Sequence, residues 1–369
     1  MPPVNSAFID RRRPLWVPLL LVLLLSGCSS LDYYSQLAGG QLELLRARQP
    51  LDALIADPAL DSDLRRRLQL AREARDFASS HLGLPENDSY RSYADLGRPF
   101  VVWNVFATDE FSVEPRLHCF PIAGCVAYRG FHRQGRARGA AALLREQGRD
   151  VWVGGVEAYS TLGWFDDPIV NGMLRRDDQR LAALIFHELA HQQLYVTDDS
   201  AFNESYASFV EREGLRQWLQ ARGLPAPDSA LEHQREYFTQ LVLESRARLA
   251  ALYASGASEN ALRVGKAAEF ERLRREYRQL RDQHWPGDRR FDAWIDGPLN
   301  NAKLLPFGLY DQWVPAFAAL FEHSGRNWSR FHGDVDLLAR LPAAQRQQRL
   351  EALRAAAAET DAAQTATGR

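Results

Sequence analysis

Apolar residues recur at helical spacing through most of the chain and switch to alternation in one central stretch. Residues 41 to 83 carry the helical period twice, and Asp61 or Ser62 is placed to cap the second helix. From 98 to 113 β-branched and aromatic residues alternate between a proline and an aspartate. Residues 118–131 and 150–164 continue that pattern and predict strands of a small sheet, with a helix over 137–148 between them. The helical period returns at Asp177. It predicts one helix over 175–195 and a second over 200–223, ending at Gly223. Two long charged stretches, 231–254 and 259–284, flank SGASEN and predict an antiparallel hairpin whose charges face solvent. A last helical region covers 299–331. The tail from 352 to 369 has the composition of a frayed or disordered segment. The pattern predicts an α+β fold, mostly helical, with a small mixed β-sheet.

The N-terminus reads differently. Arg11, Arg12 and Arg13 precede LWVPLLLVLLL, an apolar run short for a membrane span, which ends at Leu25-Ser26-Gly27-Cys28. This resembles the bacterial lipobox. The resemblance implies a signal peptide over 1–27, a lipid on Cys28 and a tether over 28–40. The remaining domain, 41–351, divides into a helical part (41–98), a sheet region (99–165), two site helices (177–223), the hairpin (231–284) and a C-terminal helical part (299–331). Ser29 in place of aspartate implies the outer membrane of a Gram-negative envelope, facing the periplasm. Acyl chains there would hold the protein to the membrane by burying methylenes. Of three cysteines, Cys119 and Cys125 then remain. In an oxidising compartment such a close pair forms a disulfide; the alternative is two free buried thiols. A net charge of -2 gives no reason to expect nucleic acid as a partner. The chain has no GxSxG motif, which removes support for a serine hydrolase.

The stretch LIFHELAHQQLY, 184–195, carries the chemistry. His187 and His191 lie four apart, so on a helix both imidazoles reach one ion. Glu188 stands about 100° further round and can act as general base toward a water. Leu181, Ala182, Leu184, Ile185, Phe186, Leu189 and Ala190 make the helix apolar on most sides, hence buried, so its polar groups need partners. Zn2+ supplies one; a chance match with hydrogen-bonded histidines is the alternative. A catalytic zinc takes a third protein ligand. Glu204, in FNESYASFVE at 202–211, is the candidate, brought back by a turn through VTDDS. Glu211, seven positions on, suits a hydrogen-bond acceptor behind a ligating histidine, or is a solvated carboxylate. Asp198 and Asp199 are rival ligands or helix caps.

HELAH followed by FNESYASFVE resembles the gluzincin zinc aminopeptidases, through Asn203, Glu204, Ser205, Tyr206, Ala207 and Glu211. The connection after His191 is shorter than theirs. More widely, GCVAYRGF (124–131), AYSTLGWFDDP (158–168), HELAHQ, FNESYASFVE and LNNAKL with VPAF (299–317) resemble bacterial lipoproteins described as predicted aminopeptidases. That resemblance implies a zincin-like active-site helix beside an edge strand that binds substrate backbone. Gly154, Gly155, Val156 and Glu157 are similar to the glutamate-bearing strand of gluzincin aminopeptidases. By that analogy Glu157 would hold the substrate α-amine; otherwise it is a surface glutamate. Tyr310 stands where related enzymes place an oxyanion donor, with Tyr159 and Tyr206 as rivals. Asn300 and Asn301 tie that loop to the site or cap a helix. The tryptophans, Trp164 included, read as core. The function expected is zinc-dependent hydrolysis of peptide or protein substrates, first as an aminopeptidase. The alternatives are an endopeptidase acting on envelope proteins and a scaffolding lipoprotein with a vestigial metal site. Manganese or cobalt can replace zinc in such a site.

Overall fold

The computed structural model describes residues 16–120, 124–158, 160–307 and 312–367, without the side chains of 16–31, 229 and 358–367. Met1–Arg46 and Ala47–Arg369 form two compact units. The helix Trp16–Ala47 supplies most of the first and runs through 28–40, the segment read as a tether. Cys28 lies on this helix, its side chain outside those described. Among the described residues no helix is long and apolar enough to cross a membrane.

In the second unit, β structure among the described residues is divided among three small sheets. Val102–Thr108 is the central strand of the first, flanked antiparallel by Tyr128–Phe131 and Asp150–Val156. The latter is therefore an edge strand. Its glycines have a packing cause: a Cβ on Gly154 would strike the Trp152 ring, and one on Gly155 would strike the Phe100 ring. A second sheet orders Arg48–Pro50, Ser92–Ala94 and Ile169–Val170, one pairing antiparallel and the other parallel. Strands of two or three residues are too short to show alternation, so the sequence pattern missed them. The third sheet pairs His118–Phe120 with Gly124–Val126, and a disulfide joins the directly opposed Cys119 and Cys125.

Helices make up the rest. Asp61 caps Ser62–Ser80 by accepting from the backbone N–H of Asp63 and Leu64. The helix carrying both histidines, here the motif helix, spans Asp178–Gln193 and is capped by Asp177. The ligand helix, Ser200–Ala221, follows after a short turn. The motif helix packs mainly on Ser62–Ser80 and on the ligand helix, and buries Leu181, Ile185, Phe186 and Leu189. The edge strand makes its main helix contacts with Gln134–Glu146 and Asn301–Leu304. Ser229–Tyr253 and Glu259–His284 form the hairpin. Its charged sequence hides an apolar seam of Phe238, Val242, Leu249, Phe270, Leu273 and Tyr277.

Two further expectations are corrected. The tail from 352 continues the helix Ala343–Thr367. The tail has few large apolar side chains to pack, which suggests disorder, but it is rich in alanine, the strongest helix former. Trp164 is 67% exposed, on a loop, and no part of the core.

Gly214 sets the crossing of the two site helices. A Cβ there would lie 2.7 Å from Leu82 Cδ1 and 3.2 Å from the Phe186 ring. Gly214→Val overpacks that contact and is expected to cost about 1–3 kcal/mol. Urea unfolding checks this; an unchanged midpoint would mean that the crossing has slack.

Candidate metal centre

The motif helix presents His187 and His191 one turn apart, only 7% and 9% exposed. The ligand helix brings Glu204 back against them. His187 Nε2 and His191 Nε2 lie 3.2 Å apart. Glu204 Oε2 lies 3.4 Å from the first and 3.7 Å from the second. A tetrahedral zinc with bonds of roughly 2.0–2.1 Å would hold its ligand atoms roughly 3.3 Å apart. The triangle fits that spacing. Glu204 Oε2 is also buried without a hydrogen-bond partner of ordinary geometry among the described residues. An acceptor left in that state is costly unless a cation meets it.

The short turn between the helices is held from several sides. Asn203 donates to Val196 O at 2.7 Å and accepts from Val196 N–H at 2.8 Å. Asp199 caps the ligand helix through Phe202 N–H and pairs with Arg346 at 2.8 Å. Asp198, with left-handed φ of 65°, accepts from the Cys125 N–H at 2.6 Å. These tasks occupy Asp198 and Asp199, which stand outside the His–His–Glu triangle. The disulfide hairpin thus docks on the turn that aims Glu204. Gly124, at φ 70°, permits this approach, since a Cβ there would meet Asp198 and Thr197 at 2.5 and 2.6 Å.

Behind the triangle, Glu211 Oε2 lies 3.0 Å from His187 Nδ1, and Arg180 donates to Glu211 Oε1 at 3.2 Å. This chain fixes the ring so that Nε2 faces the centre. Burial alone would lower the His187 pKa, but hydrogen bonds and charge from Glu204 and Glu211 push it up to about 10. Burial acts to raise Glu204, yet the His191 charge and its bonds to both histidines draw it down to about 2. Glu211 follows for the same reason, burial being outweighed by His187, also to about 2. Without a metal, then, His187 holds a proton between two carboxylates. A divalent cation can take that proton's place.

Glu188 is half-buried, and its carboxyl is raised by burial against the pull of His187 and His191. Its carboxylate makes no hydrogen bond or ion pair with a described residue. Tyr195, just past the motif helix, sets its ring 6.5 Å from that of His191. Burial and the charges of Glu204 and Asp198 keep its phenol protonated. Sequence reasoning passed over Tyr195 and also Arg180, although Arg180 lies seven residues before His187, two turns back on the same face.

The other expected site residues are more scattered. Tyr310 and Tyr159 lie outside the described residues. Tyr206 is fully buried, its hydroxyl 2.9 Å from His332 Nδ1, which makes it part of the core. Glu157, next after Val156 at the end of the edge strand, pairs with Arg176 at 2.5 Å. Asn300 caps Asn301–Leu304 and donates to Val151 O at 3.1 Å, tying that helix to the edge strand. Asn301 donates to Glu110 O and accepts from the Tyr253 hydroxyl.

Two imidazoles and a carboxylate, with a second carboxylate beside them on the motif helix, define a centre suited to a divalent cation and a proton-transferring base. A family model described as "Putative aminopeptidase" matches residues 32–350, and the chain belongs to that family. Neither the curated proteins nor the solved structures hold a match. The family's description points to peptidase activity.

Removing the Asn203 amide leaves the Val196 N–H without a partner and its C=O with only the 3.3 Å bond from Asp199 N–H. Asn203→Ala is therefore expected to cost about 1–3 kcal/mol, read by chemical denaturation. A change below about 0.5 kcal/mol, the usual range for a bland surface position, would show that the turn holds without this clamp.

Proposed function

We propose that the chain is a zinc-dependent aminopeptidase, held to the envelope surface through Cys28 and acting on peptides in the periplasm. The convergence of His187 Nε2, His191 Nε2 and Glu204 Oε2 at 3.2–3.7 Å, with Glu188 on the same helix, carries the reading. Membership of the family described as putative aminopeptidase supports it. Two neutral nitrogens and one carboxylate oxygen suit zinc better than calcium or magnesium, which prefer oxygen shells.

A zinc ion bound there would polarise a substrate carbonyl and lower the pKa of a coordinated water. The chain's own groups supply the rest. Glu188 takes the proton of the attacking water and passes it to the departing amine. Burial suits it to this shuttle by holding its proton more tightly than a solvated glutamate does. Glu211 accepts from His187 Nδ1–H, and Arg180 holds Glu211 in turn, so the imidazole keeps the tautomer that leaves Nε2 open.

Glu188→Gln keeps the shape but removes the base. It is expected to lower peptide hydrolysis by roughly 10²–10⁴-fold while zinc content, read by atomic absorption, stays at one per chain. Activity within threefold of the parent would remove Glu188 from the mechanism. Glu211→Gln is expected to weaken zinc binding by roughly 10–100-fold, measured by competition with a coloured chelator. Unchanged affinity would mean that His187 needs no such support.

A further inference from the structure

We infer that the buried oxygens of Asp167 and Tyr90, on the Glu188 side of the motif helix, form the subsite that receives the free α-ammonium group of a peptide substrate. The inference rests on the peptidase reading and assigns to that site its preference for an unblocked amino terminus.

The geometry comes from three separate segments. Gln192 lies one turn beyond Glu188, so the two share a helix face. Gln192 accepts from Asn87 Nδ2 at 2.9 Å and donates to Ser89 Oγ at 3.2 Å and to Asp167 Oδ2 at 3.5 Å. The Glu188 face is thereby set against the 87–90 loop and against Asp167. Tyr90 N–H donates to the Asp167 carbonyl at 2.6 Å, which fixes the two residues to each other.

Both side chains are fully buried; Asp167 Oδ1 has no partner among the described residues, and the Tyr90 hydroxyl has only the Ser160 side chain near it, without the geometry of a full hydrogen bond. The other Asp167 oxygen is satisfied by Thr161 N–H at 2.8 Å and Thr161 Oγ1 at 3.0 Å. Tyr90 also sits at φ 62°, a backbone conformation that costs energy in a bulky residue and persists only where the surroundings enforce it. Arg75, the buried cation near this loop, spends its donors on Ser79 and on the carbonyls of Pro85, Asn87 and Ser89. No ion pair joins a described cation to Asp167. Burial, resisted by the Thr161 bonds, pushes its carboxyl up to about 7, the state of an acid awaiting a counter-charge.

A ligand that ends here must bring its own positive charge. In a peptide the cation nearest the first amide bond is the α-ammonium, whose three N–H groups match Asp167 Oδ1 and the Tyr90 oxygen as acceptors. Glu157 does not offer this, because Arg176 already holds it. The subsite is sealed as the chain stands, so entry requires the loop over 160–166 to lift. That loop presents Trp164 and Phe165 to solvent at 67% and 47% exposure. Its Thr161 bonds end on the very carboxylate that the ammonium would claim.

The test uses zinc-loaded, full-chain Glu188→Gln protein, which holds substrate without cutting it. Equilibrium dialysis is run against a pool of tripeptide amides varied at the first position, free or N-acetylated, with bound members read by mass spectrometry. The expected result is at least tenfold retention of free over acetylated members. Adding Asp167→Asn should bring that ratio near one at unchanged zinc content, and adding Glu157→Gln should leave it in place. Tyr90→Phe removes a single oxygen, so it should lower the ratio severalfold and decides the matter should the Asp167 variant fail to fold. Equal retention of the two pools, binding of neither, or a preference that survives both Asp167→Asn and Tyr90→Phe overturns the subsite and leaves a buried water as its occupant. Hydrolysis by the unaltered chain is scored separately. Binding without any cleavage would sink the peptidase reading alone, and equal cleavage of free and blocked peptides would sink the subsite alone.

Discussion

Two half-buried carboxylates, Glu204 and Glu211, meet the buried imidazole of His187 at one helix crossing, and the charge balance there constrains everything around it. Burial opposes ionisation of all of these groups. The carboxylates nevertheless stay ionised, because His187 gives them a proton to share and His191 adds its own attraction to Glu204. A buried cluster of this kind is poor as a stabilising device, since desolvation consumes most of the attraction. It makes sense as a receptor for a cation. Replacing one proton with a divalent ion neutralises the cluster and completes the shell of Glu204 Oε2.

The rest of the fold serves that crossing. Phe186 and Leu82 close on Gly214, which brings the helices near enough for Glu204 to reach both histidines. The turn between them is clamped from within by Asn203 and from outside by the Cys119–Cys125 hairpin and Arg346. The ligand helix is pressed from its far side by Val314–His323, whose entry residue Trp313 donates its N–H to Ser205 at 3.1 Å. Segments more than a hundred residues apart thus converge on one short turn. The clamped turn holds Glu204 within 3.4 and 3.7 Å of the two imidazole nitrogens without an ion between them.

Much of this centre was legible in the sequence because it is local. His187, Glu188 and His191 are fixed by helical spacing, and Glu204 and Glu211 sit two turns apart on one following helix. The boundaries of the two site helices were legible to within a few residues for the same reason. What escaped was built from distant or short pieces. The second sheet joins strands of two and three residues from 48, 92 and 169. Asp167 and Tyr90 carry no motif, and their importance arises only when 77 residues of separation collapse against Gln192. The glycines at 154 and 155 misled in the opposite direction, since Trp152 and Phe100 account for them. Trp164 misled because aromatic residues are usually buried, whereas this one tips an exposed loop.

The central claim is that one metal ion is held by His187, His191 and Glu204. X-ray absorption at the zinc edge of the loaded, full-length protein tests it most directly. The account predicts a shell of two imidazole nitrogens and light oxygen donors at roughly 2.0–2.2 Å, without sulfur, one protein oxygen of which disappears in Glu204→Gln. A spectrum with sulfur in the shell, or one unchanged by that substitution, would contradict it.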